Sequence, residues 1–360
     1  MVRSLPALLA FITVTLGQSA TSRELRATRV QSACPDEATA AAADSLAAKF
    51  DNHQFVFIGS THGDVKIEEF LMCLISRPSF KGRVTDIVEE QVSSADQLLV
   101  DRYVLGLDQI PADRVAAIWF DTDAPTLWTT LPQVRRFVET LRQVNSTLPP
   151  TNRIRLVGGN EGIDWAKVKT VDDLAPYPYK TNLIPHLLVE HLAKEPGNRT
   201  LVVYGDCHIH WKGSNFMSDL EAALGRERLF VVGRINQLVA TERRFLNEAG
   251  NPDKPFFVTV DRIPSNAAGE TSLSVCTGER SGHFAEYMDA FVYLGPTADR
   301  STIGEIQLTA AEQRELARRS SIKADPNLTM RARFRGRDRW FAEHPNDLVP
   351  RPKLSGPPPS

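Results

Sequence analysis

The sequence predicts an α/β protein with a mainly parallel central sheet and helices on both faces. Three observations predict it. Short apolar runs end in glycine turns, as in Phe55-Val56-Phe57-Ile58-Gly59 and Leu201-Val202-Val203-Tyr204-Gly205, and such runs read as buried strands of a parallel sheet. Between them lie segments of helical period, the alternation expected of strand–helix–strand units. Two of the glycine turns also carry a histidine three residues on, His62 and His208. Open α/β sheets bind ligands just beyond the carboxyl ends of their strands, so two histidines far apart in sequence can meet at one site.

In chain order, the alanine-rich residues 35–50 form a lead-in helix and 55–59 the first strand. Lys66 to Ser76 has helical period and stops at Pro78, Val84 to Glu90 is strand two, and Ala95 to Leu105 a helix. Residues 106–130 are irregular and carry Trp119, Asp121 and Trp128. Leu131 to Asn145 is a helix closed by Pro149-Pro150, and Arg153 to Gly158 is strand three, ending in Gly158-Gly159-Asn160-Glu161-Gly162. Leu183 to Lys194 is a helix, 201–205 strand four, Met217 to Leu224 a helix and Leu229 to Ile235 strand five. Phe256 to Ile263 and Asp289 to Leu294 complete the strands. Thr309-Ala310-Ala311-Glu312 is a capping box that opens a last helix to Arg319.

With 360 residues, 42% hydrophobic content and a net charge of -2, the chain can bury a sizeable core and carries no basic field for nucleic acid. Arg3, the apolar run Leu5 to Leu16 and the small residues Gly17 to Ala20 have the layout of a secretory signal peptide. The expected organisation is therefore a signal peptide over 1–20 and one α/β domain over 21–320, its core at 50–296. An Arg- and Pro-rich extension over 321–360 follows, its extreme end disordered. The mature protein is expected in the periplasm or outside the cell, without a membrane span. Four cysteines, Cys34, Cys73, Cys207 and Cys276, allow three complete pairings, or an arrangement that leaves Cys207 a free thiol. Glycosylation triplets occur at Asn145, Asn198 and Asn327.

His62 and His208 lead the candidate catalytic residues, because imidazole titrates near neutral pH and serves as general base or metal ligand. Glu89 and Glu90 end strand two. A carboxylate at the end of a buried strand is costly unless paired or ligating, and one of the two is expected to face solvent. His210 follows His208 by two residues and, on a continued strand, shares its face as a second ligand for one metal; otherwise it lies at the rim. Asp206 can steer His208. Ser60, Asp121, Glu161, Asp164 and Asp206 itself are further candidates for substrate contacts, Asp121 from a segment where a lid could sit. The sequence contains no Gly-x-Ser-x-Gly elbow, no phosphate-binding glycine loop and no His-Glu-x-x-His.

The turn Ile58-Gly59-Ser60-Thr61-His62-Gly63, a strand ending in glutamate and the turn Tyr204-Gly205-Asp206-Cys207-His208 together resemble the erythromycin esterase, ChaN and TraB/TIKI group over roughly residues 50–296. The resemblance implies a hydrolase acting on an ester, amide or peptide bond of a small molecule or peptide. His62, His208 and Glu90 would carry the water-activating chemistry, directly or on a divalent metal such as manganese, cobalt or zinc. ChaN-like members imply haem or iron binding instead. Esterase-like members carry glutamate where this chain has Ser60, and that departure leaves room for a catalytically inactive relative.

Overall fold

The computed structural model describes residues 34–60, 64–115, 117–122, 132–177, 180–235, 254–262, 271–275, 278–282, 286–295, 308–325, 327, 329, 351 and 352. The expected signal peptide, His62, Cys276, residues 353–360 and, of the expected lid segment, residues 116 and 123–130 lie outside them; the rest of that segment, expected to be irregular, carries the short helices Ala112–Val115 and Ala117–Phe120. Seven strands form one sheet: β1 (Phe55–Ser60), β2 (Asp86–Ser93), β3 (Arg155–Asn160), β4 (Thr200–Gly205), β5 (Leu229–Ile235), β6 (Phe256–Thr259) and β9 (Ala290–Tyr293). Their order is β3-β2-β4-β1-β5-β9-β6. Every pairing is parallel except that of β6 with β9. The mainly parallel sheet expected from the apolar runs is observed. A separate hairpin, β7 (Thr271–Val275) with β8 (Gly278–Gly282), carries polar residues and shows no apolar run.

Both faces are covered. One core holds Ile58, Ile87 and Val232 against the helices Glu37–Ala47, Val65–Ser76, Gln97–Val104 and Pro132–Ser146. The other holds Phe57, Val88 and Val231 against the helices Lys180–His186 and Asn215–Leu224. Successive strand residues point to opposite faces, so this division fixes which face each later side chain takes. Among the described residues no helix is long and apolar enough to cross a membrane.

Several boundaries depart from the sequence reading. The helix expected over 183–194 is an α-helix only over Lys180–His186; a π turn over Leu187–His191 and a tighter turn follow. Pro185 lies inside that helix, lacks the amide hydrogen the ladder needs, and breaks it. Strand two runs on to Ser93 through a register shift: Glu89 pairs Gly158, but Ser93 already pairs Asn160. This bulge buries both Glu89 (5% exposed) and Glu90 (1%), correcting the expectation that one of them faces water. It is possible because Gly158 and Gly159 have no side chain: a Cβ there would lie 2.6 Å from the Ser93 backbone and 2.7 Å from the Glu89 carbonyl oxygen.

Cys34 and Cys73 form a disulfide, which ties the segment before the first helix to the helix Val65–Ser76. Cys207 is disulfide-bonded as well, so it is not a free thiol. Asn145 and Asn198 are buried and hydrogen-bonded within the fold, which removes two of the three glycosylation triplets from solvent.

Candidate functional site at the carboxyl edge of the sheet

The parallel strands β1, β2, β4 and β5 end at one edge, and polar groups are buried there on both faces. On the face of Phe57 and Val88, Glu90 accepts a 2.5 Å hydrogen bond from the Gly205 amide, the last residue of β4. The Glu90 carbonyl in turn accepts from Asn160 Nδ2 at 3.0 Å. Glu90 thus fixes the point where the His208 turn begins. Within the turn the His208 amide donates to the Gly205 carbonyl at 2.9 Å, and Ser214 Oγ donates to the His208 carbonyl at 2.6 Å. The His208 ring packs edge-on against Tyr204, with centroids 5.6 Å apart. Asp206 crosses directly over β1: a Cβ on Gly59 would come within 3.1 Å of Asp206 Cβ. Glycine at 59 is therefore what lets the His208 turn pass this close over β1.

Strand alternation places Ser60, Glu89 and Arg234 on the opposite face, beneath the helix Val65–Ser76. That helix brings Asp64 at its N-cap, accepting from the Lys66 amide at 3.0 Å, and Glu68 one turn later. Arg234 and Asp64 form a buried ion pair. Burial pulls the Arg234 guanidinium down to about 10, so it stays charged at neutral pH. Burial also pushes Glu68 up to about 7. Burial pushes Glu89 well above the usual carboxylate range, and the neighbouring Glu68 pushes it further. Glu89 therefore holds its proton at neutral pH, and Glu68 is poised to lose its own there.

The structure gathers Ser60, Glu90, Asp206 and His208 at this edge, with buried Glu161 just past the end of β3. His210 departs from the shared-face reading. The strand stops at Gly205, residues 206–208 form a turn, and His210 is buried with its ring 6.3 Å from Tyr287. Asp121 and Asp164 lie elsewhere, in a cleft of about 440 Å³ shared with Trp165, Glu315, Arg318 and Arg319. There Asp121 accepts from Arg319 Nη2 at 3.2 Å, and exposed Asp164 pairs with Lys167 at 2.9 Å. Asp64, Glu68 and Arg234 are residues that sequence reasoning missed. Arg234 did carry a signal: it is the one charged residue in Leu229-Phe230-Val231-Val232-Gly233-Arg234-Ile235, as costly to bury as the glutamates of strand two.

Among the described residues no group of three or more His, Cys, Asp or Glu side chains is arranged to hold a metal ion. Glu90 is moreover engaged with the Gly205 amide. The described donors do not by themselves fit a divalent metal.

No protein-family model matches the chain, and no curated protein matches it. Among solved structures it is similar to a succinoglycan biosynthesis protein at 10% identity and a TM-score of 0.49, over 70% of this chain and 90% of that one. It is similar to a Bacillus cereus protein at 10% identity and a TM-score of 0.44, over 73% and 91%. ChaN of Campylobacter jejuni, solved with cofacial haem, matches at 12% identity and a TM-score of 0.36, over 54% and 87%. Likenesses at this level carry no functional argument; the architecture rests on the strand pairing itself.

Proposed function

We propose that the chain is an exported hydrolase of the erythromycin esterase, ChaN and TraB/TIKI type, acting on an ester, amide or peptide bond. His62 and His208, on the turns after β1 and β4, position and activate the water. A neutral imidazole takes a proton from water as its oxygen bonds to the substrate carbonyl carbon, and returns that proton to the leaving oxygen or nitrogen as the old bond breaks. Glu90 is a positioning residue: it holds the start of the His208 turn rather than reaching the substrate.

The observation that carries this reading is the Glu90 carboxylate bound to the Gly205 amide, which ties the strand-two glutamate to the second histidine turn. The carboxyls Glu68 and Glu89 at the same edge, both pushed upward by burial, add support, since strongly shifted groups concentrate at functional sites. Export is supported by the oxidised Cys34–Cys73 pair, because structural disulfides persist in oxidising compartments.

The test is a screen of the purified mature protein against ester, amide and peptide substrates, with and without chelator, beside a His62→Ala/His208→Ala double mutant. Turnover lost in the double mutant is the expected result. Equal turnover in both proteins, or no turnover together with a Soret band on haem titration that the double mutant lacks, overturns the hydrolase reading.

A further inference from the structure

We infer that Arg234 and Ser60 form a subsite for one oxyanion of the ligand, a carboxylate or a phosphate, at the carboxyl edge between β1 and β5. This rests on the proposed function for its place in a reaction, but the binding itself stands apart from turnover. β1 and β5 pair in register from Phe55↔Leu229 to Ile58↔Val232. Two residues further along, that register sets Ser60 beside Arg234, and both point to the same face. Ser60 is 3% exposed and its hydroxyl has no hydrogen-bond partner among the described residues. The Arg234 side chain is 1% exposed; Asp64 meets it at Nη1, while Nε and Nη2 have no partner.

An arginine presents its N–H groups as a flat fork that fits two oxygens at once. Leaving such donors dry and unmatched is costly, and buried donors in folded proteins are almost always satisfied. Three unmet donor atoms from two adjacent strands, at the edge where α/β sheets bind ligands, therefore describe a place for an acceptor. Charge decides what kind. Asp64 balances Arg234, and Lys66 brings a second cation to this edge, its Nζ lying where a Cβ on Gly295 would come within 2.7 Å. The sum over Asp64, Arg234 and Lys66 is one positive charge, which a monoanion neutralises, and it is fullest below about pH 7, where Glu68 keeps its proton. The proposed hydrolase would accordingly take an acidic substrate and hold its anionic end against Arg234.

The experiment is calorimetric titration of the mature protein with inorganic phosphate and, separately, acetate, repeated on Arg234→Gln and Ser60→Glu. Ser60→Glu keeps the Arg234–Asp64 pair and supplies a carboxylate from within the chain, so it tests the site even where Arg234→Gln fails to fold. Saturable binding of one of the two anions, weakened at least tenfold in Ser60→Glu, is expected, and the anion that binds distinguishes a phosphate from a carboxylate ligand. No binding of either, or binding equally tight in Ser60→Glu, overturns the subsite. Binding lost in Ser60→Glu while the substrate screen stays silent would keep the subsite and reject the hydrolase.

Discussion

Arg155 and Arg234 are both buried arginines of the same sheet, and they are treated differently. Arg155, at the start of β3, grips Asp101 through Nε at 2.9 Å and Nη2 at 2.8 Å. Gln97 braces the same Asp101 at 3.0 Å and donates to the Leu156 carbonyl at 2.9 Å. Arg234, at the far end of β5, meets Asp64 but leaves Nε and Nη2 unmatched. Arg155 is held at two points by one carboxylate, whereas Arg234 is met at one point and keeps polar capacity at the edge where the strands end. Buried charge alone is thus not the mark of a site; a buried charge held at one point, at the edge where α/β sheets bind ligands, is the better mark.

The comparison can be broken by mutation. Arg155→Met leaves Asp101 buried without its cation and should cost about 3–5 kcal/mol in urea unfolding. Arg234→Met should cost less than half of that, since it also removes unmatched donors, and Arg234→Met/Asp64→Asn should be near neutral. Equal losses at the two arginines would erase the distinction.

Next in size is a pH effect. Folding keeps Glu68 protonated up to about 7, against 4.5 for an ordinary glutamate. Its contribution is full below pH 4.5 and is lost as pH rises through 7, amounting to about 3 kcal/mol. Unfolding free energy should therefore fall between pH 4.5 and 7, and Glu68→Gln should flatten that slope; an unchanged slope would remove Glu68 from the account. Glu90→Ala, which leaves the Gly205 amide unpaired, should cost about 1–3 kcal/mol and loosen the His208 turn, visible as faster amide exchange at 205–208. Asp164→Asn touches an exposed pair with Lys167 and an exposed hydrogen bond from the Ala166 amide, which the asparagine oxygen can still accept, and its stability should stay within about 0.5 kcal/mol of wild type.

Strands β1, β4 and β5 are legible in the sequence because both faces are buried and the residues run mostly apolar, with Arg234 the one charge among them. The extent of β2 is not, because Glu89-Glu90-Gln91 reads as a chain leaving the sheet, whereas Gly158 and Gly159 across the ladder make room for it to stay. The histidine turns stand out by their glycines. Asp64 and Glu68 do not, because on a helix start they look like a cap and a solvated first turn; only the tertiary packing of that helix over β1, β2 and β5 takes them out of water. His210 misleads for a related reason: its spacing from His208 carries meaning on a strand, but the chain has already turned.

The central claim is that function lies at the carboxyl edge and not in the cleft lined by Asp121 and Asp164. The most direct measurement is kcat/KM of His208→Ala and Asp164→Asn, side by side, on the best substrate of the hydrolase screen, with unfolding curves showing both variants folded. The account predicts a loss of at least about 100-fold for His208→Ala and a wild-type rate for Asp164→Asn. A wild-type rate in His208→Ala, or a comparable loss in Asp164→Asn, would contradict it.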